Sequence, residues 1–373
     1  SSASSAERRR SSGKERFVMI QTLALLHAAY RELNARKLFW ITLGLSGLVI
    51  AAMASIGLNE QGLSVLWWQF DLALLNTQFM PVDVFYKMIF AELVVPYWLA
   101  WIATILGLVS TSSIFPDMVS GGSIDVLLSK PISRSRLFLT RYLTGLLFMT
   151  LQVTVFATLA FLVIGLRGGA WEPWIFITIP LVVLFFSYLF CFCAVMGLLT
   201  RSTIASLLLT LLFWFFIFGV NSAEGITLAG STATEISAEQ SRSDLEEAEE
   251  AGDPIEVTGP LSERLDRDEE NLATWRLTNS VFYGIKAALP KTDETIELLA
   301  RLLRDNAGME VEDDRESRGR LFGVSQRISM REFEKRIQSK RDARGYFWII
   351  GTSLIFESLV LLFACWRFSR RDF

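Results

Sequence analysis

Six long apolar runs, separated by polar segments, dominate the chain. They cover residues 38–58, 84–109, 142–166, 174–199, 204–220 and 346–366, and they carry few or no charges. A bilayer core about 30 Å thick needs about 20 such residues in an α-helix. The run at 204–220 is shorter, but it can cross where the bilayer or its neighbours adapt. The pattern therefore predicts an all-α polytopic membrane protein with six transmembrane helices.

The polar segments between these runs predict the domain organisation. Residues 1–16 are Ser-rich and basic, which is typical of a disordered tail. Residues 17–37 mix apolar and basic positions and favour an amphipathic helix on an anionic membrane surface. A plain cytoplasmic extension of the first span fits residues 17–37 equally well. Residues 38–220 then form a membrane domain of five spans, residues 221–344 an extracytoplasmic insertion, and residues 345–373 the sixth span with a cytoplasmic tail.

Two extramembrane regions carry local signals. Between spans one and two, Trp67 and Trp68 lie near Asp71, which suggests an interfacial helix over 59–83. The insertion begins with an acidic stretch, residues 222–271, which fits either a solvated helix or a disordered tether. It continues with amphipathic patterns at 272–289 and 292–303, and Ser329 with Glu332 forms a capping box before a basic helix. We therefore expect the insertion to be helical.

The distribution of Lys and Arg predicts the orientation. Basic residues precede span one, cluster at 130–141, follow span four at Arg201 and close the chain at 367–371. If the six spans alternate in direction, these four groups lie on the same side of the membrane. The positive-inside rule then places both termini in the cytoplasm, and we expect the chain in the inner membrane of the cell. The basic stretch 331–344 then lies outside. Long loops cross the membrane largely independently of their charge, which permits this arrangement.

Other features exclude several function classes. Ala52-Met53-Ala54 resembles a signal-peptidase site, but the lead-in of 37 residues and the apolar residues beyond it favour an uncleaved span. Cys191, Cys193 and Cys365 fall inside predicted spans and are expected to be packing residues. The chain has no G-x-x-x-x-G-K-[ST] loop, no HExxH, no G-x-S-x-G and no zinc spacing. We expect no catalytic residue, no metal, no cofactor and no nucleic-acid partner.

Two carboxylates fall within predicted spans, Glu92 in the second and Glu357 in the sixth. A charge in hydrocarbon is costly, so an intramembrane acid is a functional candidate by default. Glu92 and Glu357 are candidates for a translocation path. A hydrogen-bonded packing role is an open alternative for both. An intramembrane enzyme also stays open, since a hydroxyl with one acid could act in lipid.

The segment Pro116–Arg136, PDMVSGGSIDVLLSKPISRSR, is polar and lies between two long apolar runs. Gly121 and Gly122 predict a turn at its start, and Pro131 stops any helix near Ser129. About two helical turns remain, too few to be stable alone in water. Such an element persists when it packs against something. We expect it to contact the ends of the flanking spans and a soluble protein beneath them.

The run from Gly122 through Leu127-Leu128 and Pro131 to Arg134 resembles the permease subunits of type-2 ABC exporters. The similarity is greatest to the branch that includes the permease of nitrous-oxide-reductase maturation systems. In that family a Gly…Leu-Leu-x-x-Pro-x-x-Arg pattern lies between spans two and three. An amphipathic lead-in helix, an Arg201-Ser202 turn and the tail Arg367–Asp372 match as well.

The resemblance implies that the segment is a coupling helix which binds a separate ATP-binding subunit. The family's upstream glutamate corresponds to a slightly displaced Asp117. The residues expected to bind that partner are Asp117, Gly122, Ile124, Asp125, Leu127, Leu128, Pro131 and Arg134.

The resemblance also implies a dimer with a second permease copy or a paralogue, in contact with membrane lipid. ATP and Mg²⁺ are expected in the partner subunit, so this chain is not expected to be an enzyme. Its function would be to couple ATP hydrolysis to export or to conformational work across the membrane. A different class also stays open, a non-transport membrane scaffold whose external insertion binds an envelope partner.

Overall fold

The structure is a computed structural model that describes residues 37–71, 77, 80–119, 133–306, 330–342 and 345–370. The expected tail at 1–16 and all but the last residue of the expected amphipathic helix at 17–37 lie outside the described residues. The helices, in chain order, are α1 Lys37–Ser55, α2 Val82–Met88, α3 Thr104–Thr111, α4 Ile114–Val119, α5 Arg134–Val163, α6 Thr178–Thr200, α7 Thr203–Glu250, α8 Ile255–Ala288, α9 Thr292–Asn306, α10 Met330–Asp342 and α11 Tyr346–Ser369. The strands are β1 Ile56–Asn59, β2 Gly62–Val65 and β3 Trp68–Asp71.

Six helical stretches among the described residues are long and apolar enough to cross a membrane, which confirms the predicted number. They are Lys37–Ser55, Val82–Val119, Arg134–Gly168, Pro173–Thr200, Thr203–Glu250 and Tyr346–Ser369, called here spans one to six. Span two continues α2 through a π-helical stretch, Ile89–Ala103, that contains Pro96. Proline has no backbone N–H to donate, so an irregular hydrogen-bond pattern there is expected.

The connection between spans one and two differs from the predicted interfacial helix. Residues 56–71 form a three-stranded antiparallel sheet in the order β1-β2-β3. Gly62 begins β2 with φ 140°, and Leu66 has φ 57° in the two-residue turn before β3. Positive φ values of this kind break a helix and suit tight hairpin turns. Trp67 and Trp68 remain exposed beside this turn.

Span five continues without interruption into the insertion. α7 contains 48 residues and includes the acidic residues 246–250. The acidic stretch is therefore helical, which settles the choice between a helix and a disordered tether for the part up to residue 250. Gly252, with φ 74°, lies in the turn that leads to α8. Glycine adopts this left-handed conformation without steric cost.

The chain divides into two compact units. The first comprises Ser1–Leu212, Glu294–Met309 and Glu357–Phe373. Span four is its most enclosed crossing, since 61% of the apolar window of span four is buried and no other span exceeds 50%. Its buried aromatic residues, including Phe185, Phe186 and Phe190, form much of the core of this unit.

The second unit comprises Phe213–Asp293 and Glu310–Phe356. In this unit α8 and α10 both run antiparallel to the C-terminal part of α7. Ion pairs join the three helices, and they include Lys286–Glu224, Arg242–Glu269 and Arg336–Glu239. The hydrogen bonds of Arg336 to Glu239 and Glu332 raise the pKa of the arginine above its ordinary value. The described residues of the insertion lie mainly in α7, α8, α9 and α10.

Candidate functional site

The predicted coupling segment, residues 116–136 and called here the coupling segment, is described only at its two ends. Residues 120–132 lie outside the described residues, and with them Gly122, Ile124, Asp125, Leu127, Leu128 and Pro131. The described ends are α4, which carries Asp117, and the start of α5 at Arg134. What the structure defines is therefore how the segment is attached to the membrane bundle.

Arg134 and Asp117 occupy different settings. Arg134 donates a hydrogen bond from Nη1 to the backbone carbonyl of Ser369, 3.5 Å away, at the last residue of α11. A cation at this position complements the partial negative charge of a helix C-terminus. Asp117 is exposed in α4, while its neighbours Pro116 and Met118 are buried. The start of span three is thus connected to the end of span six.

Four phenylalanines form an aromatic cluster next to these ends, one each from spans two, three, four and six. Ring centroids lie 5.0 Å apart for Phe115 and Phe138, 5.9 Å for Phe115 and Phe190, and 6.3 Å for Phe138 and Phe368. All four side chains are buried. Aromatic pairs at such distances contribute about 0.5–1.5 kcal/mol beyond the burial of their area. We call this group the aromatic cluster.

Two glycines allow these rings to approach the helix backbones. A Cβ on Gly197 would lie 3.0 Å from Cδ of Pro116 and 3.2 Å from Cβ of Phe115. A Cβ on Gly145 would overlap the ring of Phe190. Both glycines lie inside helices, where glycine costs about 1 kcal/mol relative to alanine. Close packing of α4 and of Phe190 against spans three and four accounts for their presence.

Glu357 lies beside the aromatic cluster and has two hydroxyl partners. Its Oε1 lies 2.7 Å from the hydroxyl of Tyr142, and its Oε2 lies 2.9 Å from Oγ of Ser187. The ring of Tyr142 stacks on Phe190 with centroids 5.2 Å apart. The carboxyl group of span six is thus joined to spans three and four. This geometry agrees with the packing role that the sequence left open for Glu357.

The same contact brings an acid and two hydroxyl groups together, which the intramembrane-enzyme alternative requires. Ser187 Oγ also lies 2.8 Å from the carbonyl of Leu184, and the hydroxyl of Tyr142 lies 3.1 Å from the carbonyl of Ser187. The hydroxyl groups therefore have backbone acceptors as well as the carboxyl group. All three side chains are buried.

Glu92 has a different partner. It forms an ion pair with Arg304 of α9, and the two side chains are 48% and 35% exposed within the chain. Leu298, Leu299 and Leu303 of α9 are buried. The charge of Glu92 is thus balanced by a helix of the insertion. The structure gives Glu92 and Glu357 separate partners and does not bring them into contact.

The remaining candidate chemistry is sparse. Among the described residues no group of three or more His, Cys, Asp and Glu could hold a metal ion. Cys191 and Cys193 are buried and unbridged, in keeping with a packing role.

The residues that pack near the two described ends of the coupling segment could not be identified from the sequence. The cluster residues Phe115, Phe138 and Phe190, and the pair Tyr142 and Ser187, were not singled out. The only available signal was the density of aromatic residues in FFSYLFCF of span four.

No family model, no curated protein and no solved structure matches the chain. The geometry of the described residues and the motifs of the sequence therefore carry any statement about function.

Proposed function

We propose that the chain is the permease subunit of a type-2 ABC exporter, which couples ATP hydrolysis in a separate subunit to export or to conformational work. The single observation that supports this most is the attachment of the coupling segment. Both of its ends lie at the aromatic cluster, where Phe115 precedes the segment and Phe138 follows it. Rings from spans four and six contact the same pair.

The proposed mechanism is mechanical. A partner that displaces residues 120–132 moves α4 and the start of α5 together, because the rings of Phe115 and Phe138 are packed against each other. Protein interiors are close-packed and transmit strain, so the displacement reaches Phe190 in span four and Phe368 in span six. ATP-driven closure of two partner subunits would then shift two permease chains between packed states.

The proposal includes the partners and the location. A separate subunit binds ATP and Mg²⁺, and a second permease copy or a paralogue completes the assembly. The chain resides in the inner membrane of the cell, with both termini in the cytoplasm and the insertion, residues 221–344, outside. The resemblance of the coupling segment to type-2 exporters and the distribution of basic residues support these statements.

Affinity purification in mild detergent tests the proposal. The wild-type chain is expected to retain an ATPase, and Leu128→Asp is expected to lose it because a charge enters the apolar face of the coupling helix. Leu277→Asp is the matched control, since Leu277 lies on α8 and is already exposed. The proposal fails if the folded wild-type chain retains no ATPase, or if Leu128→Asp retains as much as the control does.

A membrane scaffold is the second candidate function, and one observation favours it. In the part of the insertion that the structure describes, ion pairs join α8 and α10 to α7. Asn279 donates a hydrogen bond to Oγ1 of Thr227 at 3.0 Å, so residues 228–278 can be replaced by a short glycine–serine turn. The exporter proposal expects ATPase retention to survive this replacement. The scaffold candidate expects the replacement to abolish crosslinking to an envelope protein.

A further inference from the structure

An open cavity of about 460 Å³ lies at the surface of the second unit, between α7, α8 and α10. Cavities of 300–1,000 Å³ are the size that accepts small molecules. The residues lining it are Leu228, Ser231, Glu235, Arg276, Asn279, Ser280, Tyr283 and Lys340.

The charges in this cavity do not balance. Arg276 and Lys340 supply two positive charges, and Glu235 supplies the single negative charge among the lining residues. Lys340 Nζ lies 2.6 Å from Oε2 of Glu235, whereas Arg276 Nη2 lies 3.4 Å from Oε1. The short contact assigns the carboxylate mainly to the lysine. The described residues that line the cavity therefore carry one net positive charge.

Arg276 is the group best placed to bind an additional anion. Its side chain is 61% exposed, and its hydrogen bond to Glu235 uses one of five N–H donors. The planar guanidinium group matches the geometry of carboxylate and phosphate groups. A second acceptor can thus approach Arg276 without breaking a short contact.

The other walls define the remainder of the ligand. The hydroxyl of Ser231 donates to the carbonyl of Leu228 at 2.9 Å, and that of Ser280 donates to the carbonyl of Leu277 at 2.7 Å. Their oxygen lone pairs remain able to accept hydrogen bonds from ligand hydroxyl groups. Tyr283 stacks on Trp348 with ring centroids 5.7 Å apart, which fixes the ring that lines the cavity.

We infer that this cavity binds a small, water-soluble organic anion through Arg276 and Lys340. The anion carries a carboxylate or phosphate group and hydroxyl groups. The lysine and the arginine bind the charged group, while Ser231 and Ser280 accept hydrogen bonds from the hydroxyls. The inference is independent of the ATPase partner, because every residue that carries it belongs to the second unit.

Isothermal titration of the full chain in phosphatidylcholine nanodiscs tests the inference. The probes are glycerol phosphate, which carries a phosphate and two hydroxyl groups, and succinate, which carries carboxylates alone. Saturable binding of at least one probe is expected. Arg276→Gln and Lys340→Gln are each expected to weaken binding about tenfold, the size of one charge-assisted hydrogen bond.

Three further variants make the result specific. Lys340→Arg keeps the charge and is expected to retain binding. Glu235→Gln removes the competing carboxylate and is expected to strengthen binding several-fold. Arg242→Gln is the matched control on the same bundle, since Arg242 pairs with Glu269 and does not line the cavity.

Four outcomes overturn the inference. The first is that neither probe shows saturable binding, and the second is that Arg242→Gln weakens binding as much as Arg276→Gln does. The third is that Glu235→Gln weakens binding. The fourth is that nanodiscs containing phosphatidylglycerol abolish probe binding. The last result would identify a lipid headgroup as the occupant instead of a soluble anion. An unchanged thermal unfolding midpoint in Arg276→Gln excludes loss of the fold as the cause of weaker binding.

Discussion

The ammonium group of Lys291 lies 4.9 Å from the ring centroid of Trp348. The same group donates hydrogen bonds to three backbone carbonyls at the end of α8, those of Lys286, Ala287 and Leu289. Lys291 is fully buried. A lysine in this position satisfies carbonyls that have no partner within the helix. One side chain therefore ends α8 and connects it to the first turns of α11.

Replacing Lys291 is expected to destabilise the protein. Lys291→Met removes a donor from the carbonyls of Lys286, Ala287 and Leu289, and a buried polar group left unsatisfied costs about 1–3 kcal/mol. The thermal unfolding midpoint, followed by circular dichroism in detergent, should fall. Lys335→Met is the matched control, because Lys335 is exposed on α10. Equal midpoints for the two variants would contradict this account of Lys291.

Gly197→Val is expected to displace α4. The new side chain would meet Pro116 and Phe115, and overpacking of this kind costs about 1–3 kcal/mol. Under the exporter proposal, the variant should lose ATPase during affinity purification while it remains folded. Gly219→Val is the control, since a Cβ on Gly219 meets nothing within 4 Å. Normal ATPase retention by a folded Gly197→Val chain would show that the position of α4 does not matter for partner binding.

A double-mutant cycle should detect the contact between Tyr142 and Glu357. Interhelical hydrogen bonds in membranes contribute about 0.6 kcal/mol on average and up to about 1.7 kcal/mol. Tyr142→Phe and Glu357→Leu should therefore be non-additive by an amount in this range when unfolding is measured in mixed micelles. Tyr97→Phe combined with Glu357→Leu serves as the reference and should be additive, because Tyr97 is exposed in span two.

Reversing the charge of Glu239 should loosen α10. Arg336 contacts both oxygens of this carboxylate, at 2.9 Å and 2.7 Å, and a lysine there would place like charges together. Because the pair is exposed, the effect is expected to be at most about 1 kcal/mol. Amide hydrogen exchange in α10 should accelerate in Glu239→Lys. Glu246 is exposed on α7, the helix that also carries Glu239, and Glu246→Lys should leave the exchange in α10 unchanged.

Cysteine labelling tests the orientation of the insertion. In a chain whose three native cysteines are replaced by alanine, a cysteine at Asp244 should react with a membrane-impermeant maleimide in intact cells. A cysteine at Ser133 should react only after the cells are permeabilised. The reverse pattern would place the insertion, residues 221–344, in the cytoplasm and would agree with the basic residues of α10.

The number of spans was predictable because bilayer thickness sets the length of an apolar run. The sheet at 56–71 was not predictable, because aromatic residues near a carboxylate suit a membrane interface in a helix and in a strand alike. The positive φ values of Gly62 and Leu66 are typical of hairpin turns. The sequence also did not predict that α7 continues into the insertion as one helix. Its acidic residues alone do not show whether basic residues of α8 and α10 will pair with them.

The contacts of the candidate site were beyond the reach of the sequence. Tyr142 and Glu357 are separated by 215 positions along the chain. In a span that is apolar on all sides, hydropathy does not indicate which face meets a neighbouring helix. The segment itself was recognisable, because Gly122 and Pro131 interrupt an apolar context. Its surroundings depend on packing between helices that no local pattern records.

The contact between Arg134 and Ser369 determines where an affinity tag can be placed. A tag fused directly to the end of α11 would begin near the start of α5, because Ser369 accepts a hydrogen bond from Arg134. Such a tag could block the surface to which the ATPase is proposed to bind. The absence of an ATPase in a pull-down would then be an artefact of the tag. The exposed turn at Gly252 is a better insertion point for the tag.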